Sequence, residues 1–344
     1  MTEPAPPSDA PTVTPTACPY SIGVAAHPGL LRERQEDAHL VLEGFGFVAV
    51  ADGMGGHNAG DVASGLAIES LREHFERVAT GTSPRGISGL LKRLGGASQP
   101  GAALVEAVRA ANRRILSAAR RDRRQRGMGT TLVAAWLCED RLHYANVGDS
   151  RLYLWREGRL RQLTRDHSLM NEYLDLGLIG PADVATFPHK NVIVRAVGLA
   201  PGIAVDVGET RTAPRDRYLL CSDGLTDLVD DVRIGGLIAT GDDPGATARA
   251  LVGLALEAGG IDNVTALVVH IGPPPSVETD PEVKDAPASA VPDDSQSGSA
   301  DGRRGGQARG RGRPAAGRRR RPRRRPEAVR PEAARGGEGS RDRR

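Results

Sequence analysis

The feature that most constrains this chain is the stretch 49–60, A-V-A-D-G-M-G-G-H-N-A-G. The apolar run Phe45-Gly46-Phe47-Val48-Ala49-Val50 leads into it and reads as a buried strand. A helix from about Asn58 to Val78 follows, with Val62, Leu66, Leu71, Phe75 and Val78 at the helical period. Asp52 is therefore expected where a buried strand ends in a glycine-rich turn. The glycines allow close backbone approach, and a carboxylate among exposed carbonyls suits a hard divalent cation. The same residues also serve as an ordinary turn, so the rest of the chain must decide.

Further strands are predicted at Tyr20–Ala26, Ala38–Glu43, Thr130–Leu137, Arg141–Val147, Arg151–Arg156, Leu160–Leu163, Val192–Val197, Arg217–Ser222 and Val264–Ile271. A second long helix covers about Ala102–Arg124, with Leu104, Val108, Ala111, Ile115 and Ala119 on one face and arginines in its last turns. Short helical pieces begin near Ser168 and Pro181, and a last helix spans Ala246–Ala258. The Gly/Ser-rich stretch Thr80–Gly101 reads as an inserted loop. Many strands, two early helices and no regular strand–helix alternation predict an α+β fold of two stacked antiparallel sheets with helices packed outside.

Both ends of the chain depart from this pattern. Residues 301–344 hold 17 Arg against five acids, a net +12, so the overall +3 leaves −9 on the other 300 residues. Residues 1–18 are rich in Pro, Ala and Thr, and 273–300 in acids, Pro and Ser. Such compositions bury too little apolar surface to offset the entropy of ordering. The expected division is a disordered N-terminus (1–18), a folded domain (19–272), an acidic linker (273–300) and a disordered Arg-rich tail (301–344). The tail lacks aromatics, so it offers attraction to an acidic partner, nucleic acid or an anionic membrane surface without base stacking. Cys18, Cys138 and Cys221 are too scattered for a disulfide framework or zinc site, which points to a reducing compartment. With no apolar run near the roughly 18 residues of a membrane span and no signal-peptide pattern, the expected location is cytoplasmic.

Five acids stand out by position. Glu36-Asp37 close the first loop, Asp52 ends a strand, Asp223 follows the apolar run 218–222, and Asp262 precedes the last strand. Strand-end carboxylates can converge at one edge of a sandwich, where they cannot all ionise without a cation. Two divalent ions would neutralise them and activate a water between them. The competing reading is five solvated loop acids.

The ordered set Arg32-x-x-x-Glu36-Asp37, Asp52-Gly53-x-Gly55-Gly56, Gly129-Thr130-Thr131, Gly148-Asp149-Ser150-Arg151, Ser222-Asp223-Gly224-Leu225 and Asp262-Asn263 resembles the metal-dependent serine/threonine protein phosphatases of the protein phosphatase 2C type, in particular their bacterial branch. The resemblance covers about 20–272. It implies a four-layer α-β-β-α sandwich with two Mn²⁺ or Mg²⁺ ions at one end, and hydrolysis of phosphoserine and phosphothreonine in proteins by a metal-bridging hydroxide, opposing a bacterial Ser/Thr kinase. By the same resemblance Asp52 bridges the metals, Gly53 contributes its carbonyl, Asp223 and Asp262 bind one metal, Glu36 the other largely through water, and Asp37 is a weaker or outer ligand. Arg32 matches the phosphate-binding arginine, whose planar fork suits phosphate oxygens. Asp149 and Asn263 are expected in supporting roles, and 166–197 matches a mobile flap, with His167 and Ser168 near the active-site rim. The enzyme is expected to act as a monomer.

Two departures matter. Met54 stands where animal members carry a proton-donating histidine, and a thioether cannot fill that role. His57 reads better as a helix cap than as a proton donor. Bacterial members often carry an Asp just before the Met-Gly-Thr-Thr run, where it binds a third metal; here Gly127 and Arg126 precede that run and Asp122 is displaced, which leaves a third metal an open question. Two other readings compete: a phosphatase switch acting on an anti-sigma-type partner, and a nucleic-acid-binding or scaffold protein with a degenerate catalytic domain. The intact acid set argues against the second.

Overall fold

The computed structural model describes residues 19–55, 59–79, 99–189 and 191–272. The expectations for the two termini, the acidic linker, most of the inserted loop and His57 fall outside these residues.

Two antiparallel sheets lie at the centre. The first runs β1 (Tyr20–His27), β11 (Val264–Ile271), β10 (Arg217–Cys221), β7 (Arg151–Arg156), β8 (Arg159–Gln162). The second runs β2 (Asp37–Leu42), β3 (Phe47–Met54), β5 (Leu132–Cys138), β6 (Arg141–Val147), β9 (Asp206–Arg211), and a two-residue β4 (Gly129–Thr130) pairs with the end of β3.

The four-layer order follows from the period-2 alternation of strands whose two faces are both covered. On β3, Val48 and Val50 pack between the sheets, while Phe47, Ala49 and Ala51 face outward onto helices. β10 splits likewise, Tyr218 and Leu220 inward, Leu219 and Cys221 outward. Helices α1 (Gly60–Ala79) and α2 (Gln99–Arg121) cover the second sheet. The chain is poor in aromatics, yet Phe47, Phe75 and Trp136 meet in this layer, with Phe75 ring centroids 4.0 and 5.1 Å from the other two. Helices α5 (Asp231–Thr240) and α6 (Pro244–Glu257) cover the first sheet. Each starts on an aspartate cap: Asp230 accepts from Arg233 N–H and Asp243 from Ala246 N–H, with Pro244 in the first turn. Two short helices, α3 (Leu169–Asp175) and α4 (Asp223–Thr226), complete the described set.

Four expectations need correction. β3 continues through Asp52 to Met54, because β4 pairs with Gly53 and Met54, so Asp52 lies inside a strand. α2 begins at Gln99, so Gln99, Pro100 and Gly101 are helix rather than loop. The apolar run 192–197 is not a strand; Ile193 and Val197 make isolated bridges to Ser168 and Thr130, and no continuous ladder joins them. The helix α5 and the polar edge strand β9 (D-V-G-E-T-R) were not expected. Among the described residues, no helix is long and apolar enough to cross a membrane.

Candidate active site

At one end of the sandwich the inward faces of four strands change chemistry together. Beyond Val50 on β3 the next inward position is Asp52; beyond Val133, Thr131; beyond Leu220, Ser222; beyond Leu267, Thr265. Asp37 lies opposite Asp52 in the β2–β3 register and reaches across to the other sheet. Its Oδ2 accepts from Ser222 Oγ (2.8 Å) and Thr265 Oγ1 (2.7 Å). Asp223 follows β10 and opens α4. Asp149 sits in the β6–β7 turn, beside Ser150, whose Oγ lies 2.7 Å from Thr131 Oγ1. Thr131 Oγ1 also accepts from Asp52 N–H, and Thr130 Oγ1 donates to the Asp52 carbonyl. The two threonines fix the Asp52 backbone, and its carboxylate meets that of Asp223.

This cluster is short of positive charge. Asp37 and Asp149 are buried; Asp52 and Asp223 keep a partly open edge. One oxygen each of Asp37, Asp149 and Asp223 is buried without a hydrogen-bond partner. Burial, reinforced by neighbouring acids, lifts Asp37 to about 7, Asp149 to about 8 and Asp223 to about 6, and pushes Asp52 well above its usual range. Among the described residues no three His, Cys, Asp or Glu side chains stand close enough together, as placed, to hold a metal ion. Unpartnered buried carboxylate oxygens are nonetheless the kind of donor that hard divalent cations take.

A second feature fits the same use. Helix α1 begins at Gly60, and a Cβ there would lie 2.7 Å from both Glu36 Oε2 and the Gly53 carbonyl oxygen. The missing side chain lets a carboxylate and a carbonyl converge on one spot. Glu36 is held from behind: its N–H donates to Asn263 Oδ1 (2.7 Å), and its carbonyl accepts from Gly53 N–H (3.1 Å) and Ser64 Oγ (2.5 Å). Asn263 Nδ2 also donates to the carbonyls of Pro28 and Arg34, so one side chain clamps the whole 28–36 loop. Arg32 emerges from that loop and pairs with Asp262 at 2.8 Å, both side chains well exposed.

Residues 32–239 match the protein phosphatase 2C family profile. The chain belongs to the protein phosphatase 2C family. It is a metal-dependent serine/threonine protein phosphatase of the bacterial type, a class that uses Mn²⁺ or Mg²⁺. It is 36% identical over 245 residues to the serine/threonine phosphatase stp of Listeria welshimeri, covering 70% of this chain and 92% of that one. The crystal structure of the Mycobacterium tuberculosis serine/threonine phosphatase PstP/Ppp superposes with a TM-score of 0.64 at 34% identity, over 74% of this chain and 99% of that one. The PstP catalytic domain in complex with two manganese ions gives 0.62 at the same identity and coverage.

The fold thus brings Glu36, Asp37, Asp52, Gly53 and Asp223 to one end of the sandwich, with Asp262 and Arg32 beside them. Asp149 lies in the same cluster, within reach of the charges of Asp223 and Asp52. The hydroxyls of Thr131, Ser150, Ser222 and Thr265 were missed, although their inward period-2 positions carried the signal. His167 and Ser168 are buried rather than set on a rim. His167 N–H donates to the Gly148 carbonyl, its Nδ1 accepts from Gly148 N–H (3.0 Å), and Nε2 lies 3.1 Å from Asp206 Oδ2. It therefore braces the turn that carries Asp149. Asp122 caps the short turn 123–125 through Arg124 N–H.

Proposed function

We propose that Asp52, Asp223, Asp262, Glu36, Asp37 and the Gly53 carbonyl hold two Mn²⁺ or Mg²⁺ ions, and that Arg32 binds the phosphate of a phosphoserine or phosphothreonine in a protein substrate. The observation that carries this reading is the unpartnered buried oxygen on each of Asp37 and Asp223, with a third on neighbouring Asp149. When bound, the two ions supply the charge that the acids lack and a water acidic enough to attack phosphorus.

The chain's own residues do the rest. Asp52, fixed through its backbone by Thr130 and Thr131, stands beside Asp37, Asp149 and Asp223. Hydroxyl donors hold one oxygen of Asp37 and leave the other free. Among the described residues Arg32 forms its ion pair with exposed Asp262, and an exposed pair of this kind is worth little. The guanidinium can exchange that carboxylate for a phosphate, matching its oxygens through the planar fork and stabilising the charge that builds on them. Met54 has no proton to give the departing alkoxide.

The catalytic unit is taken as 19–272, working in the cytoplasm against a Ser/Thr kinase; the relatives, named as serine/threonine phosphatases, support the phosphoprotein substrate. The Arg-rich segment 301–344 then positions the enzyme on an acidic partner, nucleic acid or an anionic membrane surface. Truncation at 272 should leave turnover of a small phosphopeptide unchanged and remove salt-sensitive binding to DNA, RNA and anionic vesicles; equal binding by both forms at low salt counts against the positioning role. The central test is hydrolysis of a phosphothreonine peptide with Mn²⁺ and with chelator. Activity should vanish in chelator and return with Mn²⁺; near-full activity after verified metal removal overturns the reading.

A further inference from the structure

Two loops run side by side beside the acid cluster, 28–36 and 259–263. Leu30 N–H donates to the Gly260 carbonyl (2.6 Å), Arg32 pairs with Asp262 (2.8 Å), and Asn263 bonds the backbone of Pro28, Arg34 and Glu36. The loops are pressed together: Gly29 has φ +81°, and a Cβ there would lie 2.3 Å from the Asp262 carbonyl oxygen. Between the contact points, residue 30 to 260 and residue 32 to 262, fall Leu31 and Ile261. They are 70% and 48% exposed, and Leu30 beside them is 61% exposed. Single exposed leucines are ordinary. Here three exposed aliphatic side chains stand on two loops that are clamped to each other.

The neighbours of this patch identify what covers it. Leu31 precedes Arg32 in the chain and Ile261 precedes Asp262. Next to them lies a polar cleft of about 170 Å³ lined by Arg32, Glu33, Arg34, Glu36 and Asn263. We propose that Leu31 and Ile261, with Leu30, form an apolar ledge that receives an aliphatic side chain of the phosphoprotein substrate close to its phosphorylated residue. This rests on the phosphatase reading above, because Arg32 sets the register. Adjacent Cα atoms are about 3.8 Å apart and an extended peptide advances about 3.3 Å per residue. A phosphate held at Arg32 therefore brings residues within three positions of the phosphorylated one over the ledge. The ledge selects for an apolar flank, while the cleft rejects one.

The test uses the full chain with Mn²⁺ and phosphothreonine peptides in which a single Leu is moved from position −3 to +3 in an Ala/Ser background. At one position Leu should raise kcat/KM about tenfold over Ala, the scale on which an apolar contact discriminates. Leu31→Ser combined with Ile261→Ser should bring that ratio close to one while p-nitrophenyl phosphate turnover is unchanged, since that substrate has no flanking residue. A flat Leu scan in the unaltered enzyme overturns the ledge, as does an equal loss on p-nitrophenyl phosphate in the double variant. A dimer in sedimentation that the double variant abolishes would assign the surface to a second copy and overturn it too. Absence of Mn²⁺-dependent p-nitrophenyl phosphate hydrolysis would instead bring down the phosphatase reading, and the ledge with it.

Discussion

Strand β10 carries a carboxylate at each end, and the two are treated in opposite ways. Asp216, just before the strand, is 1% exposed and fully answered. It accepts from Arg156 Nε (2.7 Å) and Nη2 (2.6 Å), from Ala213 N–H (2.7 Å) and from Tyr218 OH (3.2 Å). Asp223, just after the strand, leaves a buried oxygen without a partner and faces Asp52, Asp227 and Asp262. Asp166 resembles the first case, with Arg151 and Gln162 on its oxygens. The protein thus pairs its buried acids wherever they only hold the fold together. Leaving a buried oxygen on each of Asp37, Asp149 and Asp223 without a partner at one end costs stability that a metal-free fold has no reason to bear.

The strongest way to break this comparison is to neutralise one acid at the unpaired end. Asp223→Asn should lower kcat by orders of magnitude in saturating Mn²⁺, since the lost charge is one the metals need. The same change should raise Tm in chelator, because it removes a charge that its neighbours repel. Loss of stability in chelator would contradict the account. At the paired end the signs reverse. Arg156→Ala strands a buried carboxylate and should cost about 2–3 kcal/mol. In denaturant melts this appears as a lower midpoint, while kcat per folded molecule stays constant. A variant that melts normally would show that Asp216 does not depend on Arg156.

The smallest effect is a pH dependence of the metal-free enzyme. Asp37 and Asp149 titrate near 7 and 8 when folded, against about 3.9 when unfolded, so above pH 4 the folded state binds more protons and stability falls as pH rises. Burial acts oppositely on His39, His74, His143, His167 and His270, which it holds neutral; their contribution grows with pH but ends near the unfolded value of about 6.5. The window from about 6.5 to 8 therefore belongs to the acids. In chelator Tm should decline across it, and Mn²⁺ should flatten the decline. A flat profile without metal would mean that the cluster is not strained.

Much of this was legible in the chain itself. Strands doubly buried between sheet and helix read as apolar runs, and β6, β7 and β11 fall where their patterns end. The acids announced themselves by standing beside such runs. Three-dimensional register hid the rest. Thr131, Ser222 and Thr265 look like ordinary β-formers until Val133, Leu220 and Leu267 are seen to share one inward face with Asp52. The turn that carries Asp149 is held by His167, nearly twenty residues on, together with Asn146 and Thr131. The run 192–197 is apolar enough to read as a strand but makes only single bridges, to Ser168 and Thr130, while β9 pairs with β6 despite a polar sequence, since an edge strand needs backbone partners more than apolar side chains.

Gly60 sets two demands against each other. A helix interior prefers alanine to glycine by up to about 1 kcal/mol, so propensity alone argues for Gly60→Ala. The added methyl, however, would lie 2.7 Å from Glu36 Oε2 and from the Gly53 carbonyl oxygen, too close for both to stay where they are. The hollow exists only where a side chain is missing, so the start of α1 gives up helix propensity to let a carboxylate and a carbonyl stand side by side.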